Sequence, residues 1–172
     1  MLQIAHGVQS LHRQLIVHRD LKVSNIYLSD FTEDAKVYIG DFGAAFQLTR
    51  GPQEQLDFMI GTQGFITPEI SQKRPYGLKC DIFSLGCIMY RILFATPPFW
   101  SDRRDERIRL LTDPSILVDF DADQIRPYAR NLSAECKNFL QAVLEKDPER
   151  RPSIEEVLEH PWLASLTPNQ HT

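Results

Sequence analysis

Apolar residues recur at helical spacing at the start of the chain, where Ile4, Ala5, Val8, Leu11 and Leu15 fall on one face of an amphipathic helix. No capping side chain precedes them, so the chain is expected to open inside a helix that is cut rather than capped. Three short apolar pieces follow, Ile16–Val17, Ile26–Leu28 and Val37–Ile39, with a polar turn over 29–36 between the last two. They predict a small hairpin-like strand cluster. From 43 to 69 hydrophobic periodicity is poor, and Gly51-Pro52 and Gly61 interrupt it. One long loop is expected there, of a length that usually carries function. Residues 80–94 are apolar nearly all round, which predicts a helix buried in a larger helical body, the hub of the fold, ended by Pro97-Pro98. Further helices are predicted by Cys136, Phe139, Leu140, Val143 and Leu144, and by Ile154, Val157 and Leu158 behind the N-cap residue Ser153. No repeat or low-complexity tract appears, and the polar end over 167–172 is expected to fray.

At 172 residues the chain has room for one domain with its own core. A composition of 42% hydrophobic and 24% charged residues sets disorder and fibrous repeats aside. The net charge of −4 argues against a nucleic-acid partner, because a phosphate-backbone binder needs a dense basic stripe. Arg103, Arg104, Arg107 and Arg109 alternate with Asp102, Asp105 and Glu106, and read as a solvated helix face of mixed charge. Cys80, Cys87 and Cys136 have no metal-ligand spacing and cannot all pair, as suits reduced thiols in an intracellular core. The longest apolar stretch, 82–90, falls short of the roughly 20 residues of a membrane span. With no secretory signal visible, a cytoplasmic or nuclear location is expected, where the Asn131-Leu132-Ser133 sequon has no meaning.

The chemistry is concentrated in His18-Arg19-Asp20-Leu21-Lys22-Val23-Ser24-Asn25 and in Asp41-Phe42-Gly43, sixteen residues beyond that Asn. Alone, Asp-Phe-Gly is a weak signal; behind six fixed positions of an octapeptide it is a strong one. Phosphoryl transfer needs a positioned hydroxyl, a base beside it, and oxygen ligands that hold Mg²⁺ against the phosphates. Asp20 is placed to accept or orient the hydroxyl proton, and Lys22 to offset charge on the transferring group and its nucleotide. Asn25 and Asp41 supply hard oxygens for magnesium, and Gly43 allows a sharp turn after Asp41. His6, His12 and His18, spaced by six, do not share a helix face and are read as no metal site; His18 is expected to pack and hydrogen-bond in the core.

These motifs resemble those of the eukaryotic protein kinases, and the resemblance covers about residues 2–163. It implies an α+β, mainly helical fold: the large C-terminal lobe of a kinase domain over 1–163, with a small strand cluster carrying the catalytic loop and a frayed tail over 164–172. Thr67-Pro68-Glu69 resembles the motif that closes the activation segment. Asp81 with Ser84-Leu85-Gly86 resembles the start of the buried central helix, and 147–152 a late helix-linking motif. The family pairing implies Glu69 with Arg151. Lys22 and Thr62 resemble the serine/threonine branch, so the implied reaction moves the γ-phosphoryl of ATP, with Mg²⁺, to Ser or Thr hydroxyls of a protein substrate.

Arg19 resembles the arginine of kinases switched by a phosphate on the activation segment. Here Phe58 holds the usual phosphosite, with Asp57 beside it, and Asp57 or Glu54 is expected to supply a permanent charge. Tyr27 stands where an aliphatic residue usually underlies the nucleotide base, and Phe65 replaces the usual Tyr of the substrate-docking segment. The resemblance also implies a glycine-rich loop, a strand Lys and a helix Glu from a small N-terminal lobe, none of which these 172 residues contain. Two expectations follow: a Ser/Thr kinase whose small lobe is missing here, so that the isolated chain is inactive or very weak, or a kinase-derived binding module docking through 51–74 and the late helices. Intact Asp20, Lys22, Asn25 and Asp41 favour the enzyme.

Overall fold

The computed structural model describes residues 1–120 and 132–166. Helix α1, Leu2–Arg13, buries Ile4, Ala5, Val8 and His12, and has no side-chain cap at its start. Strands β1 (Ile16–Val17), β2 (Ile26–Leu28), β3 (Val37–Ile39) and β4 (Phe46–Gln47) follow. β2 and β3 form an antiparallel hairpin with Tyr27 opposite Tyr38. β1 pairs instead with β4, Val17 opposite Phe46. The expected single strand cluster is thus two separate ladders, and the loop expected from residue 43 is fastened at its beginning. Two-residue strands carry too little alternation to announce their partner.

Thr67 caps the short helix α2, Pro68–Ser71, by accepting from the Ile70 N–H. Helix α3, Lys79–Phe94, buries all of 80–90 together with Phe94. It ends before the prolines: Ala95 turns left-handed at φ 62° and donates its N–H to the Arg91 carbonyl at 3.0 Å. Helix α4 (Arg104–Thr112) buries only Leu111, while α5 (Ala134–Val143) buries Cys136, Phe139, Leu140 and Val143. Gly86 lets α3 and α5 approach, since a Cβ there would lie 2.8 Å from Val143 Cγ2. Helices α6 (Ile154–Glu159) and α7 (Pro161–Ala164) complete the body, α6 behind a reciprocal Ser153–Glu156 capping box.

One apolar core gathers α1, α3, α5, α6 and α7 around Phe83, Leu85 and Ile88. Fully burying each such side chain contributes about 1.5–3 kcal/mol, which makes α3 the main source of cohesion. A second cluster gathers Val17, Leu48, Leu56, Ile70, Tyr76 and Cys80, with Leu48 and Leu56 drawn from the stretch 43–69. Its Leu56 and Tyr76 exchange backbone hydrogen bonds at 2.8 and 2.9 Å. The three cysteines are buried and unpaired, and burial pushes the Cys80 and Cys87 thiols well up, so they stay protonated. No helix among the described residues is long and apolar enough to cross a membrane. The tail expected from 164 begins inside α7, where Ser165 still donates to the Pro161 carbonyl; 167–172, like Asn131 of the sequon, lie outside the described residues.

Candidate active site

The loop between β1 and β2 is held from below by Asp81, in the first turn of α3. Its carboxylate is 0% exposed and accepts the His18 N–H at 2.8 Å and the Arg19 N–H at 2.9 Å, with His12 Nε2 3.0 Å away. A buried carboxylate is tolerated because these donors replace water. His18 Nε2 lies 3.1 Å from the Gly40 carbonyl, which can only accept, so this nitrogen carries the proton and Nδ1 takes the Asp20 N–H at 3.4 Å. His18 therefore packs between the loop and the segment before Asp41, with Phe42 5.2 Å away ring to ring.

Above this base Asp20, Lys22 and Thr62 converge. Lys22 Nζ donates to Asp20 Oδ2 at 2.6 Å and to Thr62 Oγ1 at 3.2 Å, and the Thr62 hydroxyl donates to Asp20 Oδ1 at 2.6 Å. The hydrogen bond to Asp20 holds the Lys22 ammonium above its usual range, and the charges of Asp20 and Asp41 add to it against the opposing effect of burial. Buried Asn25 donates through Nδ2 to the Asp20 carbonyl at 3.0 Å, and its own carbonyl accepts the Gly40 N–H at 2.9 Å. That leaves Asn25 Oδ1 with only a 3.5 Å contact from the Ser24 hydroxyl. Asp41 is left-handed at φ 63°, exposed, and its carboxylate has no hydrogen bond or ion pair among the described residues. Arg19 is also left-handed, at φ 67°. Two L-residues in this conformation within one site each cost about 1–3 kcal/mol, strain that functional loops commonly hold.

The Arg19 side chain is satisfied from within. Its Nε donates to the Ala44 carbonyl at 2.6 Å, its Nη1 to the Tyr76 hydroxyl at 3.4 Å, and its guanidinium lies 5.3 Å from the Phe46 ring centre. Glu54 faces elsewhere: its carboxylate closes a turn by accepting the N–H groups of Thr49 and Arg50 at 2.6 and 2.7 Å. Asp57 is exposed and forms no hydrogen bond or ion pair with Arg19. The charge expected to answer Arg19 is accordingly replaced by a carbonyl, a phenol and a ring.

Tyr27, 52% exposed on β2, lays its ring over Gly40, where a Cβ would sit 2.7 Å from the ring edge. Phe65 is buried in the main core, and its carbonyl accepts from the Ser84 hydroxyl at 2.9 Å. Arg151 and Glu69 meet as a bidentate pair at 2.8 and 3.0 Å, side chains 0% and 1% exposed, with further bonds from Arg151 to the carbonyls of Lys79 and Glu145. This pair lies away from the Asp20 cluster and joins α2 to the turn before α6.

Two partners escape a reading of the sequence. The spacing of His12 to the other histidines fits no metal, yet its burial on α1 places it against Asp81. Tyr76 reads as one apolar residue among turn residues, and only the fold brings its hydroxyl to Arg19.

A profile of the protein kinase domain matches residues 1–163. The chain is 34% identical over 169 residues to the serine/threonine-protein kinase PLK4 of Nematostella vectensis, covering 98% of this chain and 16% of that protein. It is 36% identical over 162 residues to PLK4 of Drosophila willistoni, covering 94% and 19%. Human calcium/calmodulin-dependent protein kinase type 1B is 33% identical over 165 residues, covering 96% and 46%, so the chain spans less than half the length of each of these relatives. With the loop over 18–25 anchored on a buried helix and the protein kinase domain matched almost end to end, the chain belongs to the eukaryotic protein kinase family, in its serine/threonine branch.

Proposed function

We propose that these residues form the catalytic lobe of an enzyme that transfers the γ-phosphoryl of ATP, with Mg²⁺, to Ser or Thr hydroxyls of proteins. The observation that carries this reading is the convergence of Lys22 and Thr62 on the two carboxylate oxygens of Asp20. Asp20 is thereby held in one orientation, ready to receive the proton of an incoming hydroxyl in place of Thr62. Lys22, kept protonated, stands beside Asp20 to stabilise negative charge on the transferring group. Thr62 links the activation segment to this centre, so an ordered segment and an oriented base go together.

The donor set fits magnesium. Asp41 offers an unengaged carboxylate and Asn25 a nearly free amide oxygen, both hard ligands, and Mg²⁺ is commonly held by one or two such groups together with phosphate and water. Among the described residues no group of three or more His, Cys, Asp or Glu side chains could hold a metal. When bound, the ion would neutralise charge on the phosphates. Val23, Tyr27, Leu28, Tyr38 and Phe42 are exposed apolar side chains, such as a small nucleotide-covering lobe would bury.

The test is transfer from Mg-ATP by the natural protein, purified from its source cells, to Ser-, Thr- and Tyr-containing peptides. Asp20→Asn is expected to lower the rate about 10²–10⁴-fold. Equal transfer by wild type and Asp20→Asn would overturn the reading, and no transfer by a folded wild type would favour the binding-module alternative.

A further inference from the structure

An open cleft of about 730 Å³ runs from Lys22 and Thr62 past Phe65 to Arg91, Pro97 and Trp100. Its near end is formed by Lys22 and Thr62, the two partners of Asp20, so a protein segment that presents a hydroxyl to Asp20 has this cleft open to its neighbouring residues. Two charged side chains line it, Lys22 and Arg91, and no carboxylate does. Lys22 is committed to Asp20 and Thr62. Arg91 is exposed, and its guanidinium has no hydrogen bond or ion pair among the described residues. It follows the run 80–90, all buried, and is the first exposed residue of α3 after that run, lining the cleft while Phe94 returns to the core. A cation in the last turn suits the helix dipole, but the dipole gives no reason for it to line a cleft free of carboxylates. Nearby, Arg107 lies 4.8 Å from the ring centre of Trp100 and adds positive charge beyond that wall.

We infer that Arg91 is a specificity-determining residue that reads a carboxylate on the substrate, so that the preferred proteins carry Asp or Glu within a few residues of the acceptor hydroxyl. The inference rests on the proposed phosphoryl transfer only in taking this cleft as the path of the substrate. A basic flank would meet like charge there, which disfavours the wrong partner as well as attracting the right one.

The test uses the natural full-length protein and three sets of Ser peptides whose flanking positions carry Asp and Glu, Asn and Gln, or Lys and Arg. Initial rates with Mg-ATP are measured beside fluorescence anisotropy of the same labelled peptides, which requires no catalysis. The acidic set is expected to exceed the neutral set about fivefold in kcat/KM, mainly through KM, and to bind correspondingly tighter. Arg91→Glu is expected to reverse the order and Arg91→Lys to keep it, both with wild-type melting because the side chain is exposed. Equal rates for the three sets, or an unchanged preference in folded Arg91→Glu, would overturn the inference. If no peptide is phosphorylated, the proposed function fails, and anisotropy still decides this point: charge-independent binding overturns it, and acidic preference reversed by Arg91→Glu supports it.

Discussion

Asp81 Oδ1 accepts the backbone N–H of Arg19 at 2.9 Å, so the residue before Asp20 hangs from the first turn of the central helix. Asp81→Ala would leave the His18 and Arg19 amides buried and unsatisfied and remove the neighbour of His12. The expected loss is about 2–5 kcal/mol in unfolding free energy, with transfer activity falling further than stability because the loop loses its height. Denaturant unfolding beside peptide phosphorylation measures both; a variant that melts and works like wild type would rule the anchor out.

The Arg151–Glu69 pair is expected to be intolerant of half-measures. Arg151→Ala strands a buried carboxylate and costs about 3–5 kcal/mol. Arg151→Lys keeps the charge but not the two-pronged geometry, or the further bonds to Lys79 and Glu145, and should recover only a minority of that loss. An unchanged melting temperature in Arg151→Ala would remove the assignment.

Glu54 is expected to hold the turn 49–54 rather than to answer Arg19. Hydrogen bonds from the Arg50 and Thr49 N–H groups, with the Arg50 side chain, keep its carboxyl below the ordinary carboxylate range. The turn is thus complete above the unfolded pKa and loosens as pH falls through the lowered one. In Glu54→Gln, amide exchange at Thr49 and Arg50 should accelerate at neutral pH while exchange in α3 stays unchanged. Equal protection in both proteins would contradict this.

Lys146 gives an alkaline signature. Its ammonium donates to the carbonyls of Leu110 and Asp113 at 2.6 and 2.7 Å, lies 4.2 Å from the Phe99 ring centre, and is brought by burial from 10.5 down to about 8. Between those values the unfolded chain holds a proton that the folded chain has released, so this group's contribution to stability rises with pH across the window. The stability of wild type relative to Lys146→Met is expected to climb from about pH 8 towards 10.5, followed by chemical denaturation. A flat or falling difference would refute it.

Legibility in the sequence followed periodicity and chemistry. The apolar run announced α3, and Ser153 announced α6, because a buried helix and a capping box are local patterns. The β1–β4 pairing was not legible, since two residues offer no alternation to read, and the α3 stop lay at left-handed Ala95, a residue with no turn signature. Asp20, Lys22, Asn25 and Asp41 stood out through fixed spacing, while the Tyr76 and His12 contacts depend on packing between distant segments. Asp57 shows the limit from the other side: a charge near the right place in sequence ends up exposed and apart from Arg19.

The supports of the loop over 18–25 also bear on the order of assembly. Asp81 lies 63 residues from His18, and Thr62 lies 42 from Asp20, so the loop's shape is made from contacts that only a nearly collapsed chain can form. Closing such long spans is slow compared with helix formation, and the reward comes only when α3 has docked. A peptide excised around His18 to Asn25 therefore keeps the motif and loses its geometry, which during folding is expected among the last features to appear.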